Sequence, residues 1–240
     1  SPLAQHHRYV PGGPGHPHYG AIRGLDNMFT GIIQAKGSIT ALERRGGDVR
    51  LSVQSTGLPF ASYEVGESIA VNGVCLTAVV LRDDGFDTDV SVETLDVTNL
   101  GGLGISSTIN LEPSLALGDR LGGHLVSGHV DCLGTVRRVE SDARSVRLEI
   151  EMPAELARYV AKKGSVTVDG VSLTVNAVAG TVFEVNIIPH TAEVTIIGDY
   201  AVRSTVNIEV DLLARYLERL LSKDEHCVTM EFLKEHGYGG

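Results

Sequence analysis

Ser68-Ile69-Ala70-Val71-Asn72-Gly73-Val74-Cys75-Leu76-Thr77 is written a second time in this chain, as Ser165-Val166-Thr167-Val168-Asp169-Gly170-Val171-Ser172-Leu173-Thr174. Each copy reads as a strand, a two-residue turn and a second strand. Asn-Gly and Asp-Gly tolerate the positive φ angles of a type I′ turn, whose twist matches that of the flanking strands. Positions two apart on a strand face the same side, so Cys75 shares a face with Thr77, and Ser172 with Thr174. Whether that face is core or pocket is the question the hairpin poses.

Working outward, the same spacing of 97 positions recurs without a gap: Gly31 with Gly128, Gly37 with Gly134, Leu51 with Leu148, Thr94 with Thr191, Gly101 with Gly198, Glu112 with Glu209. This is a tandem duplication. A unit of nearly a hundred residues is large enough to hold its own core, unlike the short units of a solenoid. In the first copy, strand-like runs lie near 30–42, 48–55, 67–72, 74–82, 86–92 and 107–112. Six short strands between Gly, Asn and Asp turns predict an all-β fold of two six-stranded antiparallel barrels, a closure that removes exposed sheet edges. A helix is expected after the second strand of each copy, in the second over 153–160, with Pro153 at its start and Gly164 beyond its end. The end of the chain differs. Leu213, Tyr216, Leu217, Leu220 and Leu221 keep helical spacing behind Asp211, a natural N-cap. That stripe is expected either to cover a barrel or to meet copies of itself in an oligomer.

Composition narrows the function classes. The 240 residues carry a net charge of −10, which argues against nucleic acid or an anionic membrane as partner. No apolar run approaches the roughly 18 residues of a membrane span. The three cysteines, Cys75, Cys132 and Cys227, lack metal spacing and point to a reducing, cytoplasmic setting. Residues 1–27, rich in Pro, Gly and His, read as a disordered leader or tag ahead of Met28, and 223–240 as a tail.

The mismatches between copies carry the chemistry: Cys75 becomes Ser172, Ile32 becomes His129, Glu93 becomes His190, and Gly66 becomes Lys163. Taken singly, each has a plain structural reading. Cys75 reads as a small buried residue, Lys163 as a charge at a helix C-terminus, His129 as a turn histidine, His124 as part of the inter-domain joint, and Asp169 as a turn former. Taken together, they describe two sites of one ancestry given unlike polar groups, suited to two molecules of one ligand in different roles.

Met28-Phe29-Thr30-Gly31-Ile32-Ile33, the paired Asn-Gly-Val-Cys-Leu-Thr and Asp-Gly-Val-Ser-Leu-Thr, Gly122-Gly123-His124-Leu125-Val126-Ser127-Gly128-His129-Val130, Ile188-Pro189-His190-Thr191 and Asn207-Ile208-Glu209-Val210-Asp211 together resemble the riboflavin synthase family over about 28–222. The resemblance implies two lumazine-binding Greek-key barrels, 28–122 and 123–211, and an oligomerisation helix over 212–222. It implies transfer of a four-carbon unit between two 6,7-dimethyl-8-ribityllumazine molecules, giving riboflavin and a ribitylamino-pyrimidinedione, with no metal or organic cofactor. A homotrimer is implied, with a site between the first barrel of one subunit and the second of a neighbour, and an association with lumazine synthase. A non-catalytic antenna protein of the same fold is the rival. The first-barrel site would use Gly31, Ile32, Ile33, Ser68, Cys75, Leu76, Thr77, Asp89, Val90, Ser91, Val92, Glu93 and Thr94. The second would use Gly128, His129, Val130, Lys163, Ser172, Leu173, Thr174, Asn186, Ile187, Ile188, Pro189, His190 and Thr191. Among these, His129, Cys75, Ser172, Thr174, Ser68 and Lys163 are the expected catalytic group: His129 moving a proton with Thr174 or Ser172, and Cys75 and Ser68 serving the acceptor ring.

Overall fold

The computed structural model describes residues 28–221; the expected leader, tail and last helix residue, Ser222, lie outside them. Each copy contributes six strands. The first has β1 (Ala35–Arg45), β2 (Asp48–Gln54), β3 (Ser68–Val71), β4 (Val74–Arg82), β5 (Gly85–Ser91), then a short helix α1 (Val92–Val97) and β6 (Thr108–Pro113). The second repeats this as β7 (Cys132–Asp142), β8 (Ser145–Glu151), β9 (Ser165–Val168), β10 (Val171–Ala179), β11 (Val182–Ile187), α2 (Pro189–Val194) and β12 (Thr205–Val210). The strands close as β1-β2-β5-β4-β3-β6, and the matching strands close in the same cyclic order in the second copy. All pairings are antiparallel. Bulges fall at equivalent places, at Thr40 and Arg137 in the first strands and at Val79 and Asn176 in the fourth, where an extra residue bends a strand toward closure.

The repeated hairpin behaves as its turns require. Asn72 and Gly73 have φ 47° and 77°, Asp169 and Gly170 have φ 45° and 80°, and Val71 pairs directly with Val74. Val74, Leu76 and Ala78 are buried in the first barrel, as are Val171, Leu173 and Val175 in the second. The face shared by Cys75 and Thr77 is therefore the outside of the barrel. It belongs to neither core.

Two expectations are corrected. The first strand begins at Ala35 rather than residue 30, because the Glu112 carboxylate accepts from the backbone N–H groups of Thr30 and Gly31 at 2.7 and 3.0 Å and removes them from any ladder. The helix expected over 153–160 is a chain of turns with a 3₁₀ segment at Ala157–Tyr159. Leu156 donates to Pro153, Tyr159 to Leu156 and Val160 to Ala157, all three residues apart, the tighter pattern used by short connections. The regular short helices follow the fifth strands instead. Ser91 caps α1 by accepting from Thr94 N–H at 3.1 Å, and Pro189 opens α2.

The last element, α3 (Leu212–Leu221), starts at the expected cap, with Leu213 N–H donating to Asp211 Oδ1 at 3.0 Å. Polar contacts fasten it to the second barrel: Arg215 to Asp131, and Arg158 and Tyr159 to Glu218. Its apolar stripe stays open, with Leu213 60% and Leu220 80% exposed.

Candidate active site

The segments leading into the two barrels are exchanged. Glu112 holds Thr30 and Gly31, and Glu209 holds Ser127 and Gly128 in the same way, accepting at 2.6 and 3.0 Å. Each segment is thus anchored by its own repeat, yet it lies against the hairpin of the other. Ser172 N–H donates to Gly31 C=O at 2.8 Å, and Cys75 N–H to Gly128 C=O at 2.9 Å. Ile33 packs on the second core and Val130 on the first. Only glycine fits at the crossing: φ is +75° at Gly31 and +76° at Gly128, and a Cβ at either would lie 2.6 Å from the Cβ of Ser172 or Cys75. The expected grouping is corrected accordingly. Gly31, Ile32 and Ile33 belong with Ser172, and Gly128, His129 and Val130 belong with Cys75.

The two half-sites differ in chemistry. At Ser172 the hydroxyl lies 2.7 Å from His124 Nδ1, and His124 Nε2 lies 3.3 Å from Thr167 Oγ1. Burial holds His124 below the ordinary imidazole range, so at pH 7 it is a neutral ring with one nitrogen free to accept. Sequence reasoning assigned His124 to the joint and passed over Thr167. The signal was a further mismatch between copies, since Thr167 stands where the first repeat has Ala70. At Cys75 burial pushes the thiol above its ordinary range, and a hydrogen bond to the buried Ser68 only partly opposes that. Cys75 is therefore a thiol rather than a ready thiolate.

His129 is exposed beside Cys75's barrel, at a cleft of about 240 Å³ lined also by Ser127, Asp131, Glu209 and Arg215. Its counterpart Ile32 lines an equivalent cleft of about 360 Å³ with Thr30, Gln34, Glu112 and Arg120. Thr77 and Thr174 are exposed on the outer strand faces. Thr174 lies two positions from Ser172, so within one chain His129 and Thr174 sit on different half-sites.

The remaining candidates divide by burial. Leu76, Val90, Leu173 and Ile187 point into the cores and offer a ligand only their backbone. Ser91, Val92, Glu93, Asn186, Ile188, Pro189 and His190 are exposed at the ends of β5 and β11 and on the short helices, with Thr94 and Thr191 half-buried. Asp89 is engaged by Arg50 through two contacts of 2.6 Å, and that guanidinium holds its carboxyl below the usual range. Lys163 is exposed with φ +70°, its N–H donating to Val175 C=O at 2.7 Å. It is not a helix-end charge; it occupies the left-handed position that Gly66 fills in the first repeat.

A lumazine binding domain model matches twice, over residues 30–114 and 127–211. The riboflavin synthase of Mycobacterium tuberculosis is 50% identical over 199 residues, covering 81% of this chain and 98% of that one. That of Photobacterium phosphoreum is 44% identical over 216 residues, covering 88% and 99%. The chain belongs to the riboflavin synthase family. Family membership makes it an enzyme of the transferase type. The riboflavin synthase of Bacillus subtilis is 37% identical over 216 residues, so the resemblance spans distant bacteria. Crystal structures of LumP complexed with riboflavin and with 6,7-dimethyl-8-(1'-D-ribityl) lumazine superpose with TM-scores of 0.70 and 0.68 at 23% and 22% identity. They share the tandem-barrel fold.

Proposed function

We propose that the chain catalyses the dismutation of two 6,7-dimethyl-8-ribityllumazine molecules, moving a four-carbon unit from one to the other and yielding riboflavin and 5-amino-6-ribitylamino-pyrimidinedione. The observation that carries this reading is the pair of unlike half-sites, Gly31 with Ser172 and Gly128 with Cys75. A dismutation needs the same molecule bound twice and treated differently.

The proposed division of labour follows from the side chains. Each ring lies against an outer hairpin face. The Ser91–Thr94 and Ile188–Thr191 segments supply backbone and hydroxyl partners, which a buried ribityl chain requires for each of its OH groups. His129 exchanges the proton of the acidic C7 methyl. Ser172 serves the partner ring: neutral His124 accepts at Nδ1 while its Nε2–H donates to Thr167, leaving the Ser172 oxygen electron-rich toward the C7 carbon. Lys163 offers a cation beside Thr174, and Cys75 with Ser68 shapes the other ring's wall. Holding two rings face to face supplies much of the rate, since oriented reactants gain roughly 7–11 kcal/mol over a free encounter.

His129 and Thr174 lie on different half-sites of one chain, so the full site is proposed to form between subunits. The open Leu213, Leu217 and Leu220 stripe of α3 would carry a cytoplasmic homotrimer, and association with lumazine synthase would deliver the substrate. The decisive test is to incubate the protein with the lumazine and follow riboflavin absorbance. Two lumazines consumed per riboflavin formed is the expected result; a stable fluorescent complex without conversion would mean an antenna protein instead. Mixing two inactive variants, Cys75→Ala/His129→Ala and Ser172→Ala/Thr174→Ala, should restore activity in mixed oligomers.

A further inference from the structure

The two barrels meet at the tips of the repeated hairpins, where the backbones of Gly73 and Gly170 approach so closely that a Cβ at Gly73 would stand 2.7 Å from Gly170 N. Around this contact lies a polar cluster. Part of it obeys the repeat. Asn110 Nδ2 donates to Asp169 C=O at 2.9 Å and Asn207 Nδ2 to Asn72 C=O at 2.8 Å. Ile196 N–H donates to Asn110 Oδ1 and Asn99 N–H to Asn207 Oδ1, at 2.8 and 2.7 Å.

The rest breaks the repeat. Asp169, 1% exposed, stands where the first copy has Asn72. Its carboxylate accepts from Asn207 N–H at 2.7 Å, from Asn99 Nδ2 at 2.8 Å and from the Tyr200 hydroxyl. The Asn207 bond repeats that of Asn110 N–H to Asn72 Oδ1 at 2.8 Å, but the repeat places Ile196 and Leu103 at the positions of Asn99 and Tyr200, so the Asn99 and Tyr200 bonds have no mirror image. Asn99 also receives Asn207 Nδ2 at 2.9 Å. One side chain from the first repeat is thereby tied to two residues of the second.

We propose that the Asn99–Asp169–Tyr200 cluster is a positioning device that sets both half-sites at once. Cys75 and Ser172 each lie three residues beyond the clustered turn residues, Asn72 and Asp169. Each half-site also joins one barrel's hairpin to the other repeat's entry segment. A change in the angle between the barrels therefore moves both half-sites together, whereas a change within one barrel moves only its own. The Asn99 bonds add a cross-barrel tie outside that symmetry, and the inter-barrel angle it fixes carries into the placement of both half-sites.

This inference rests on the reading of the half-sites given above, and its test separates the two. Asn99→Ala removes the cross-barrel arm without touching Asp169, Cys75 or Ser172. Amide exchange is then measured on the intact protein, followed by steady-state turnover of the lumazine. Exchange in 165–174, in the opposite repeat, is expected to rise at least about tenfold, and kcat per folded molecule to fall on the order of 10- to 100-fold while KM changes little, as a displacement of about 1 Å can cost 100-fold. Asp169→Asn keeps an oxygen for both Asn207 N–H and Asn99 and is expected to retain most of the rate; Asp169→Ala is expected to lose it. Loosening confined to 92–102, or a variant that melts earlier yet turns over like the wild type, would overturn the proposal. If the wild type itself makes no riboflavin, the functional reading fails, while the exchange result still decides the cluster.

Discussion

The half-site at Ser172 and the half-site at Cys75 have the same backbone and opposite temperaments. In the first, a neutral imidazole touches the hydroxyl and a threonine holds the imidazole from behind. In the second, a thiol raised by burial rests against Ser68, with alanine where that threonine would be. Even the mouths differ: His129 follows Gly128, which holds the Cys75 contact, and Ile32 follows Gly31, which holds the Ser172 contact. Duplication supplied two equal frames, and the side chains made them unequal. The Cys75 side is reached by the His129 segment of the other repeat, whereas the Ser172 side is met by His124 of its own. An enzyme that treats two copies of one substrate differently needs that kind of inequality.

Exchanging the mouth residues should produce the largest effect. His129→Ala is expected to lower single-turnover riboflavin formation by about 10²- to 10⁴-fold, the range of general acid–base contributions, with riboflavin still bound. The mirrored Ile32→His is expected to leave the rate within a few-fold of wild type, because the added imidazole stands beside Ser172, which His124 already serves. Rapid-mixing absorbance measures both. An unchanged rate in His129→Ala would remove this residue from proton transfer.

Buried carboxyls of the second repeat should also make stability depend on pH. Burial pushes Asp169 and Glu209 up to about 7, from ordinary values near 4. A carboxyl whose pKa rises on folding binds its proton more tightly in the native state. Its stabilising contribution is therefore complete below the unfolded pKa and is lost as pH rises through the folded one. Thermal stability should fall between about pH 4 and pH 7 and level off above, each group accounting for on the order of 3 kcal/mol. Asp169→Asn should flatten part of that slope and make position 169 match Asn72 of the first repeat, which cannot titrate. A melting temperature independent of pH across this window would refute the assignment.

Much of the architecture was legible in the chain. Asn-Gly and Asp-Gly turns between alternating apolar residues specify hairpins locally, and the spacing of 97 positions needs no structure to be seen. The helix expected over 153–160 did not form, because its apolar members, Leu156 and Val160, could be placed by three-residue turns in a short connection. The crossing of Gly31 to Ser172 and Gly128 to Cys75 left no local trace. Each entry segment is anchored by a glutamate some eighty positions away, and neither spacing nor pattern says which barrel it then covers. His124 and Thr167 failed for a related reason: the Thr167–Ala70 mismatch was visible, but its meaning depends on an imidazole arriving from the joint.

Lys163 tests whether a mismatch was kept for use or for stability. A side chain in the left-handed region costs roughly 1–2 kcal/mol, and the first repeat avoids this with Gly66 at φ +102°. Lys163→Gly is expected to stabilise the protein by about 1 kcal/mol, net of glycine's larger entropy loss on folding. The same change should weaken ligand binding at the Ser172 half-site, read by fluorescence titration. A gain in stability with undiminished affinity would leave the strained lysine without a role.

The smallest effect belongs to the cores. Thr88 of β5 is fully buried, and its hydroxyl finds no hydrogen-bond partner among the described residues, whereas the second repeat has Val185 in that position. The neighbours match in backbone register: Thr88 stands opposite Leu51 and Ala78, and Val185 opposite Leu148 and Val175. An unpaired buried hydroxyl costs roughly 1–3 kcal/mol, and valine has nearly the same shape. Thr88→Val should therefore raise stability by about 1 kcal/mol in denaturant unfolding, with turnover unchanged. Loss of stability on this substitution would mean that the hydroxyl has a partner, such as a buried water, and that the first barrel is not simply a less finished copy of the second.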